Sequence, residues 1–118
     1  MDKLDSIFAL QKSLNEDIAT RRNLTYTSEE WIQKNILATI SELSEVLDEV
    51  NFKWWKNPKE ADPAALKEEL VDVLHFFVSM CLHAGMTADE LYTVYLSKNQ
   101  ENHLRQEGRS EKKGYEVQ

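Results

Sequence analysis

Residues 62–85 read DPAALKEELVDVLHFFVSMCLHAG, the most apolar helical pattern of the chain. Asp62 followed by Pro63 is a typical helix start, and Gly85 is a typical helix end. Between these residues, apolar side chains recur at helical spacing and cover most of the circumference. The stretch therefore predicts a long helix that is central in a helical domain or buried at a subunit interface.

Three further patterns predict three more helices, and no stretch convincingly predicts a strand. The first helix covers about 4–21, the second begins at a capping box at 27–30 and ends near 51, and the fourth begins at a capping box at 87–90. The apolar residues from Ile36 to Val50 predict a long buried seam on the second helix. The fold class expected is all-α, with a four-helix, bundle-like protomer that self-associates.

The size and composition indicate one small cytoplasmic domain. The 118 residues predict a single domain, 1–118, in which the charged tail 107–118 is loose. A net charge of −7 argues against a general binder of nucleic acid or membrane surfaces. The single Cys81 predicts a small core residue in a reducing compartment. We see no signal peptide and no apolar run of transmembrane length.

Two acidic pairs, Glu42-x-x-Glu45 and Glu69-x-x-Asp72, lie beside the apolar stripes of the second and third helices. Residues three apart share a helix face, so packing of the two helices would bring four carboxylates together. Such a cluster is costly unless a cation lies within it, and oxygen-only ligands suit Mg²⁺ or Mn²⁺. The alternative is that both pairs are ordinary solvated helix faces.

Other polar residues allow both a structural and a functional interpretation. Gln11, with Asn15 one turn later, interrupts the apolar stripe of the first helix. It is either a core amide satisfied by a neighbour or an amide that reads a nucleobase edge. His75 is interpreted as a buried, hydrogen-bonded core histidine. The pair Trp54-Trp55 is either a hydrophobic plug or, in part, the wall of a base pocket.

The fourth helix carries a group of cations and amides at helical spacing. The members are Lys98, Asn99, Asn102, Arg105 and Gln106. They suit a phosphate chain together with a sugar or a base. They equally suit an ordinary polar helix end whose cations offset the helix dipole.

Taken together, these stretches resemble the dimeric dUTPases. That family is a branch of the all-α nucleoside triphosphate pyrophosphatases, which include the MazG-like enzymes. The matching stretches are Leu10-Gln11 with Leu14-Asn15, Glu42-Leu-Ser-Glu45, Lys53-Trp-Trp-Lys56, Glu69-Leu-Val-Asp72-Val-Leu-His75-Phe76 and Lys98-Asn99-Gln-Glu-Asn102-His-Leu-Arg105-Gln106. The chain differs in the short turn 84–87, where longer family members carry extra helices, which makes it closer in size to the MazG-like members.

The resemblance implies a role for each matching residue. It implies that the Mg²⁺ ligands are Glu42, Glu45, Glu69 and Asp72, and that Mn²⁺ can substitute. One of Glu42 and Glu45 would activate the attacking water. It implies that Gln11, Asn15 and Asn99 lie near the base and sugar. It further implies that Trp55 lies beside the pocket, that Phe76 packs under the sugar and that Asn102 also binds substrate. The phosphate-binding cations would be Lys56, Lys98 and Arg105.

The function expected is Mg²⁺-dependent hydrolysis of dUTP to dUMP and pyrophosphate. One alternative is a MazG-like enzyme that acts on other or non-canonical nucleoside triphosphates. The other is a non-enzymatic helical interaction protein. The partners expected are the nucleotide and a second copy of the chain, because the third helix is apolar on most sides, which predicts a homodimer or a dimer of dimers.

Overall fold

The computed structural model describes residues 1–117 and consists of four helices, with no strand in that range. The helices are α1 (Lys3–Arg21), α2 (Ser28–Glu49), α3 (Pro63–His83) and α4 (Ala88–Gln106). This architecture confirms the all-α prediction, with helix ends within two residues of the expected positions. The chain is divided into two compact units, of which the first is Met1–Gly85 and the second begins at Met86.

Local capping explains where the helices begin. At α2 the predicted box is complete, since the Glu30 amide donates to Thr27 Oγ1 at 3.2 Å and the Thr27 amide donates to Glu30 Oε1 at 3.3 Å. Asp2 and Asp5 form an equivalent box at α1 that the sequence analysis missed. At α4 only half of the predicted box forms, because Thr87 accepts from the Glu90 amide without a reciprocal bond. Each cap satisfies amides that the first helical turn leaves free.

In the first unit, α3 packs against both α1 and α2. The ring of Trp31, near the start of α2, stacks on the ring of His83 at the end of α3, with centroids 5.4 Å apart. Helices α2 and α3 are therefore antiparallel. Side-chain hydrogen bonds join Gln11 to His75 and, one turn later on both helices, Asn15 to Ser79. Helices α1 and α3 therefore run parallel. This arrangement confirms the prediction of a central third helix.

The apolar core of the first unit is small. Its buried apolar side chains are Phe8, Val78 and Cys81, which confirms the buried cysteine. The buried seam predicted on α2 is wrong for the single chain, because Ile40 and Val50 are 56% and 53% exposed. The physical reason is geometric: α2 carries an apolar stripe broader than the one helix, α3, that packs along it. A wide apolar face is consequently left open to solvent.

The second unit comprises α4 and the segment that follows it. Gly108 turns the chain with a φ of +72°, and the segment then returns along the helix. The Ser110 hydroxyl donates to Glu101 Oε1 at 2.6 Å, and the Arg109 amide donates to the Leu104 carbonyl at 2.9 Å. The Arg105 guanidinium lies 5.2 Å from the centre of the Tyr115 ring. The described part of the tail, expected to be loose, thus has defined contacts, while Gln118 lies outside the described residues.

Within residues 1–117, no helix is by itself both long and apolar enough to cross a membrane. Only α3 and α4 added together would reach such a length and composition.

Candidate metal and substrate site

The antiparallel register of α2 and α3 places the two acidic pairs opposite each other. The register is set by the contact of Trp31 with His83. Glu42 lies eleven residues after Trp31, and Asp72 lies eleven residues before His83. Antiparallel helices advance by the same rise in opposite directions, so these two residues fall at the same level. Glu45 and Glu69 then meet about one turn further along.

Three of the four carboxylates converge on one point. Glu42, Glu69 and Asp72 each offer a carboxylate oxygen, and these oxygens all lie within 4.8 Å of one another. Glu45 does not belong to that set of three, but its carboxylate lies close enough to Glu69 to raise the pKa of Glu69 through a hydrogen bond and through its charge. The predicted cluster therefore exists as three converging groups and a fourth at its side.

The carboxylates of the cluster repel one another and have no positively charged side chain as a partner among the described residues, which helps to raise the pKa of two of them. Burial, followed by the charges of Glu45 and Asp72, raises the pKa of the Glu42 carboxyl. A hydrogen bond with Glu45, burial and the surrounding negative charges raise the pKa of Glu69 to about 7. The ion pairs found within residues 1–117 involve none of the four acidic residues. Neutralisation must come from protons or from a bound cation.

The donor set fits a hard divalent cation. Glu42 Oε2 and Glu69 Oε2 are buried and have no hydrogen-bond partner. Buried carboxylate oxygens without a partner are costly, and a cation that coordinates them removes that cost. All available donors are oxygens, which favours Mg²⁺ or Mn²⁺ over zinc. The residues placed to hold such an ion are Glu42, Glu69 and Asp72, with Glu45 beside them.

Gln11 and Asn15 belong to a hydrogen-bonded network between α1 and α3. Gln11 Nε2 donates to Asn15 Oδ1 at 2.9 Å, and Asn15 Nδ2 donates to Ser79 Oγ at 3.1 Å. His75 Nδ1 bonds Gln11 Oε1 at the other end. Gln11 is 7% exposed and Ser79 2% exposed, so the network is anchored in the interior. The structural interpretation of Gln11, an amide satisfied by its neighbours, therefore applies, and the base-reading interpretation stays open beside it.

The interpretation of His75 was half right. The hydrogen bond to Gln11 is present. The side chain is nevertheless exposed rather than buried, because the neighbouring helices leave this side of α3 open. Phe76, the next residue, is half-buried on α3.

The loop between α2 and α3 carries Trp55 and Lys56. Trp54 and Trp55 contact each other edge to face, with centroids 4.7 Å apart, and are 86% and 60% exposed. The hydrophobic-plug interpretation is therefore wrong in the single chain, because neither ring enters the core. A cavity of about 310 Å³ in the same loop is bordered by Lys53, Lys56 and other residues of 48–59.

The sequence analysis missed the clasp that closes this loop. Asn51, at a φ of +53°, donates from Nδ2 to the Lys59 carbonyl at 3.1 Å and accepts from the Lys59 amide at 2.9 Å. Lys59 Nζ also bonds Glu49 Oε1 at 2.7 Å. An asparagine just after a helix is a signal for the left-handed turn, but nothing in the sequence indicates its partner eight residues later.

The fourth-helix residues lie in the second unit. Lys98, Asn99 and Asn102 are exposed on α4. Arg105 is half-buried, and its Nε donates to Glu101 Oε1 at 3.1 Å. The Ser110 and Arg105 hydrogen bonds lower the pKa of Glu101, which holds that carboxylate charged. These residues form a polar helix surface on which Arg105 is already paired with Glu101.

The comparison with protein families matches the helical unit that carries the facing acidic pairs. The dUTPase family model matches residues 3–86, and the chain therefore belongs to that dUTPase family. The match covers α1, α2, α3 and all four acidic residues.

Two curated relatives carry the same printed name. The dCTP pyrophosphatase of Enterobacteria phage T4 is 30% identical over 88 residues, which are 63% of this chain and 52% of that protein. The dCTP pyrophosphatase of Enterobacteria phage LZ5 is 41% identical over 46 residues, which are 39% and 27% of the two chains. The chain thus spans about half the length of the T4 protein. No solved structure matches the chain significantly.

Proposed function

We propose that this protein is a Mg²⁺-dependent nucleoside triphosphate pyrophosphohydrolase with dUTP as its favoured substrate, releasing dUMP and pyrophosphate. The observation that carries the proposal is the convergence of Glu42, Glu69 and Asp72 within 4.8 Å inside the region that matches the dUTPase family. The family match and the phage dCTP pyrophosphatases support the same class of reaction.

The three converging carboxylates are the residues proposed to hold the metal. When bound, a divalent ion there would neutralise phosphate charge and make a water molecule more acidic. Buried oxygens of Glu42 and Glu69 support this assignment, since both lack a hydrogen-bond partner. The protein's own contribution is to fix these groups on two rigid helices before substrate arrives.

Glu45 is the residue we assign to the attacking water. Its carboxylate lies beside the converging set rather than within it, and a hydrogen bond to it, together with its negative charge, helps to raise the pKa of Glu69. A general base must be unprotonated and within hydrogen-bond reach of the proton that it removes from the attacking water. In the reaction, Glu45 would take the proton of that water as its oxygen bonds to phosphorus, and pyrophosphate would leave with the electrons of the broken P–O bond.

The nucleotide contacts follow from the family resemblance. We propose that Gln11 and Asn15 contact the base and that Trp55 and Phe76 border the pocket. We propose that three cationic side chains bind the phosphates, namely Lys56, Lys98 and Arg105. Asn99 and Asn102 complete the sugar and base contacts in this assignment.

Self-association is part of the proposal. Many apolar side chains of α2 are exposed, among them Ile40 at 56% and Leu37 at 66%, and α3 also has exposed apolar side chains such as Val71 at 52%. Large apolar side chains exposed in this way support an interaction surface. The family resemblance makes a second copy of the chain its partner, in a homodimer or a dimer of dimers.

A substrate panel tests the proposal. Pyrophosphate release is measured with dUTP, dCTP, dTTP and UTP at saturating Mg²⁺. Preference for dUTP supports the proposal, whereas preference for dCTP would align the chain with its phage relatives, and a broad profile would favour a MazG-like enzyme. Absence of turnover with every nucleotide, together with absence of stoichiometric Mn²⁺ binding in calorimetry, would favour a non-enzymatic helical protein.

A further inference from the structure

The network of Gln11, Asn15, His75 and Ser79 could run in two directions, and the Ser79 hydroxyl selects one of them. Ser79 is buried and has a single hydroxyl proton. Its Oγ lies 2.8 Å from the His75 carbonyl oxygen, which can only accept, and 3.4 Å from Asn15 Oδ1. Ser79 donates the proton through the shorter contact, to the His75 carbonyl, because the contact to Asn15 Oδ1 is too long to compete for it.

The donor role of Ser79 fixes the orientation of both side-chain amides, first that of Asn15 and then that of Gln11. With its proton on the His75 carbonyl, Ser79 Oγ can only accept from Asn15, which must turn Nδ2 toward it. Asn15 Oδ1 then faces Gln11 and accepts a hydrogen bond from Gln11 Nε2. Gln11 Oε1 is left facing His75. The orientation of an amide is assigned from such a network, and here every member agrees with the one backbone carbonyl that fixes it.

In this direction of the network, the last member, His75, must donate a hydrogen bond to Gln11. Because Gln11 Oε1 only accepts, His75 Nδ1 must carry a proton. In the neutral imidazole this leaves Nε2 unprotonated. His75 is exposed, yet its tautomer is determined by a serine 2% exposed and one helical turn away.

We propose that Ser79 and His75 are positioning residues that lock the amide orientation of Gln11 and Asn15 and thereby decide between uracil and cytosine. The two bases exchange donor and acceptor: a pyrimidine oxygen at position 4 accepts where the cytosine amino group donates. A flipped amide makes the same exchange. An amide held in one orientation therefore favours one of the two bases. The inference has an orientation half, that Ser79 and His75 fix the two amides, and a specificity half, that the fixed amides select the base. Only the specificity half rests on the proposed function.

The first experiment reads the orientation directly. Long-range ¹H–¹⁵N spectra report which imidazole nitrogen of His75 is protonated, and His75→Asn assigns the signals by deletion. The expected result is a protonated Nδ1 in the neutral ring, and loss of that preference in Ser79→Ala. A protonated Nε2 in the wild-type protein would overturn the inference whether or not the chain is an enzyme.

The second experiment reads the specificity. The ratio of kcat/KM for dUTP and dCTP is measured in wild type, Ser79→Ala, His75→Asn and His75→Gln. Asparagine keeps a donor near the position of Nδ1 and is expected to retain the ratio, whereas glutamine places its donor further out. Ser79→Ala and His75→Gln are expected to bring the ratio about tenfold closer to one, the factor that about one hydrogen bond carries.

A matched control separates orientation from packing. Thr39→Val removes a similar hydroxyl bond to the carbonyl four residues earlier, that of Asn35, and Thr39 touches neither amide. The ratio should stay at the wild-type value in this variant. A ratio unchanged in Ser79→Ala, or a wild-type ratio already near one, would overturn the specificity half. Wild-type protein without turnover on either nucleotide would instead overturn the proposed function and the specificity half with it, leaving the spectra to decide the orientation.

Discussion

Glu42 on α2 and Glu69 on α3 face each other across an antiparallel helix pair, and each leaves one buried carboxylate oxygen without a hydrogen-bond partner. Two anions at this separation repel each other, and partial burial strengthens the repulsion. The protein keeps this arrangement although it raises the pKa of both groups. Such stored electrostatic cost is typical of a site that is completed by a cation.

Removal of one metal-binding carboxylate should abolish most turnover. Asp72→Asn keeps the size of the side chain but removes the charge that the site offers to a cation. We expect kcat to fall by about 10²–10³, the loss seen when one preorganised electrostatic group is removed. Pyrophosphate release at saturating dUTP measures it. Glu68→Gln, a neutralisation on an exposed part of α3, is the matched control, and equal activity of the two variants would contradict the assignment.

The acidic cluster should make the metal-free protein less stable as pH rises. The pKa of Glu69 is about 7 in the folded chain against an ordinary value of 4.5, so the folded state binds the extra proton between these values. Stability from this group is complete below about pH 4.5 and is lost as pH rises toward 7. Urea unfolding of chelated protein at several pH values gives the free energy of unfolding.

The comparison with Glu69→Gln isolates this effect. Burial lowers the pKa of His83, which gives the opposite slope in the same pH range. Only the difference between wild type and Glu69→Gln therefore reports on Glu69. The variant should gain stability relative to wild type as pH rises through this window, and added Mn²⁺ should stabilise wild type most at high pH because it displaces protons. A difference independent of pH would refute the assigned pKa.

The clasp between Asn51 and Lys59 should stabilise the loop that carries Trp55. Asn51→Ala removes two hydrogen bonds to the Lys59 backbone and places alanine, which tolerates the left-handed region less well than asparagine, at a φ of +53°. We expect a loss of about 1–2 kcal/mol in the free energy of unfolding. Asn57→Ala, in the same loop, serves as the control. Identical denaturation midpoints for the two variants would show that the clasp contributes nothing.

The exposed apolar face should be covered by a second copy of the chain. Ile40→Lys places a charge on that face and is expected to shift the chain toward monomer, because an unpaired charge is costly in an apolar interface. Sedimentation at micromolar concentration measures the change. Gln33→Lys adds the same charge at a polar exposed position of α2 and should leave assembly intact. A wild-type chain that sediments as a monomer would rule the interface out.

Local signals in the sequence predicted the helices well. Thr27 with Glu30, Asp62 with Pro63, and Gly85 define helix ends through contacts within a few residues, so the sequence pattern contains the whole interaction. The spacing of the acidic pairs likewise predicted which carboxylates share a face. The structure then showed that Glu45 stands beside the converging three, a distinction that depends on the relative rotation of α2 and α3.

Interactions between distant residues could not be predicted in the same way. The partner of Gln11 is His75, 64 residues later, and the periodicity of α1 contains no information about it. The seam from Ile36 to Val50 was expected to be buried because periodicity shows that a face is apolar but not what covers it. Here one helix covers too little of that face, so its burial requires a partner that lies outside the single chain.

Anomalous diffraction from crystals grown with Mn²⁺ tests the central claim most directly. We predict an anomalous peak within about 2–2.5 Å of carboxylate oxygens from Glu42, Glu69 and Asp72. The peak should disappear in Asp72→Asn and remain in Glu68→Gln. Ordered, well-defined carboxylates with no peak among them, at a Mn²⁺ concentration that supports turnover, would contradict the account.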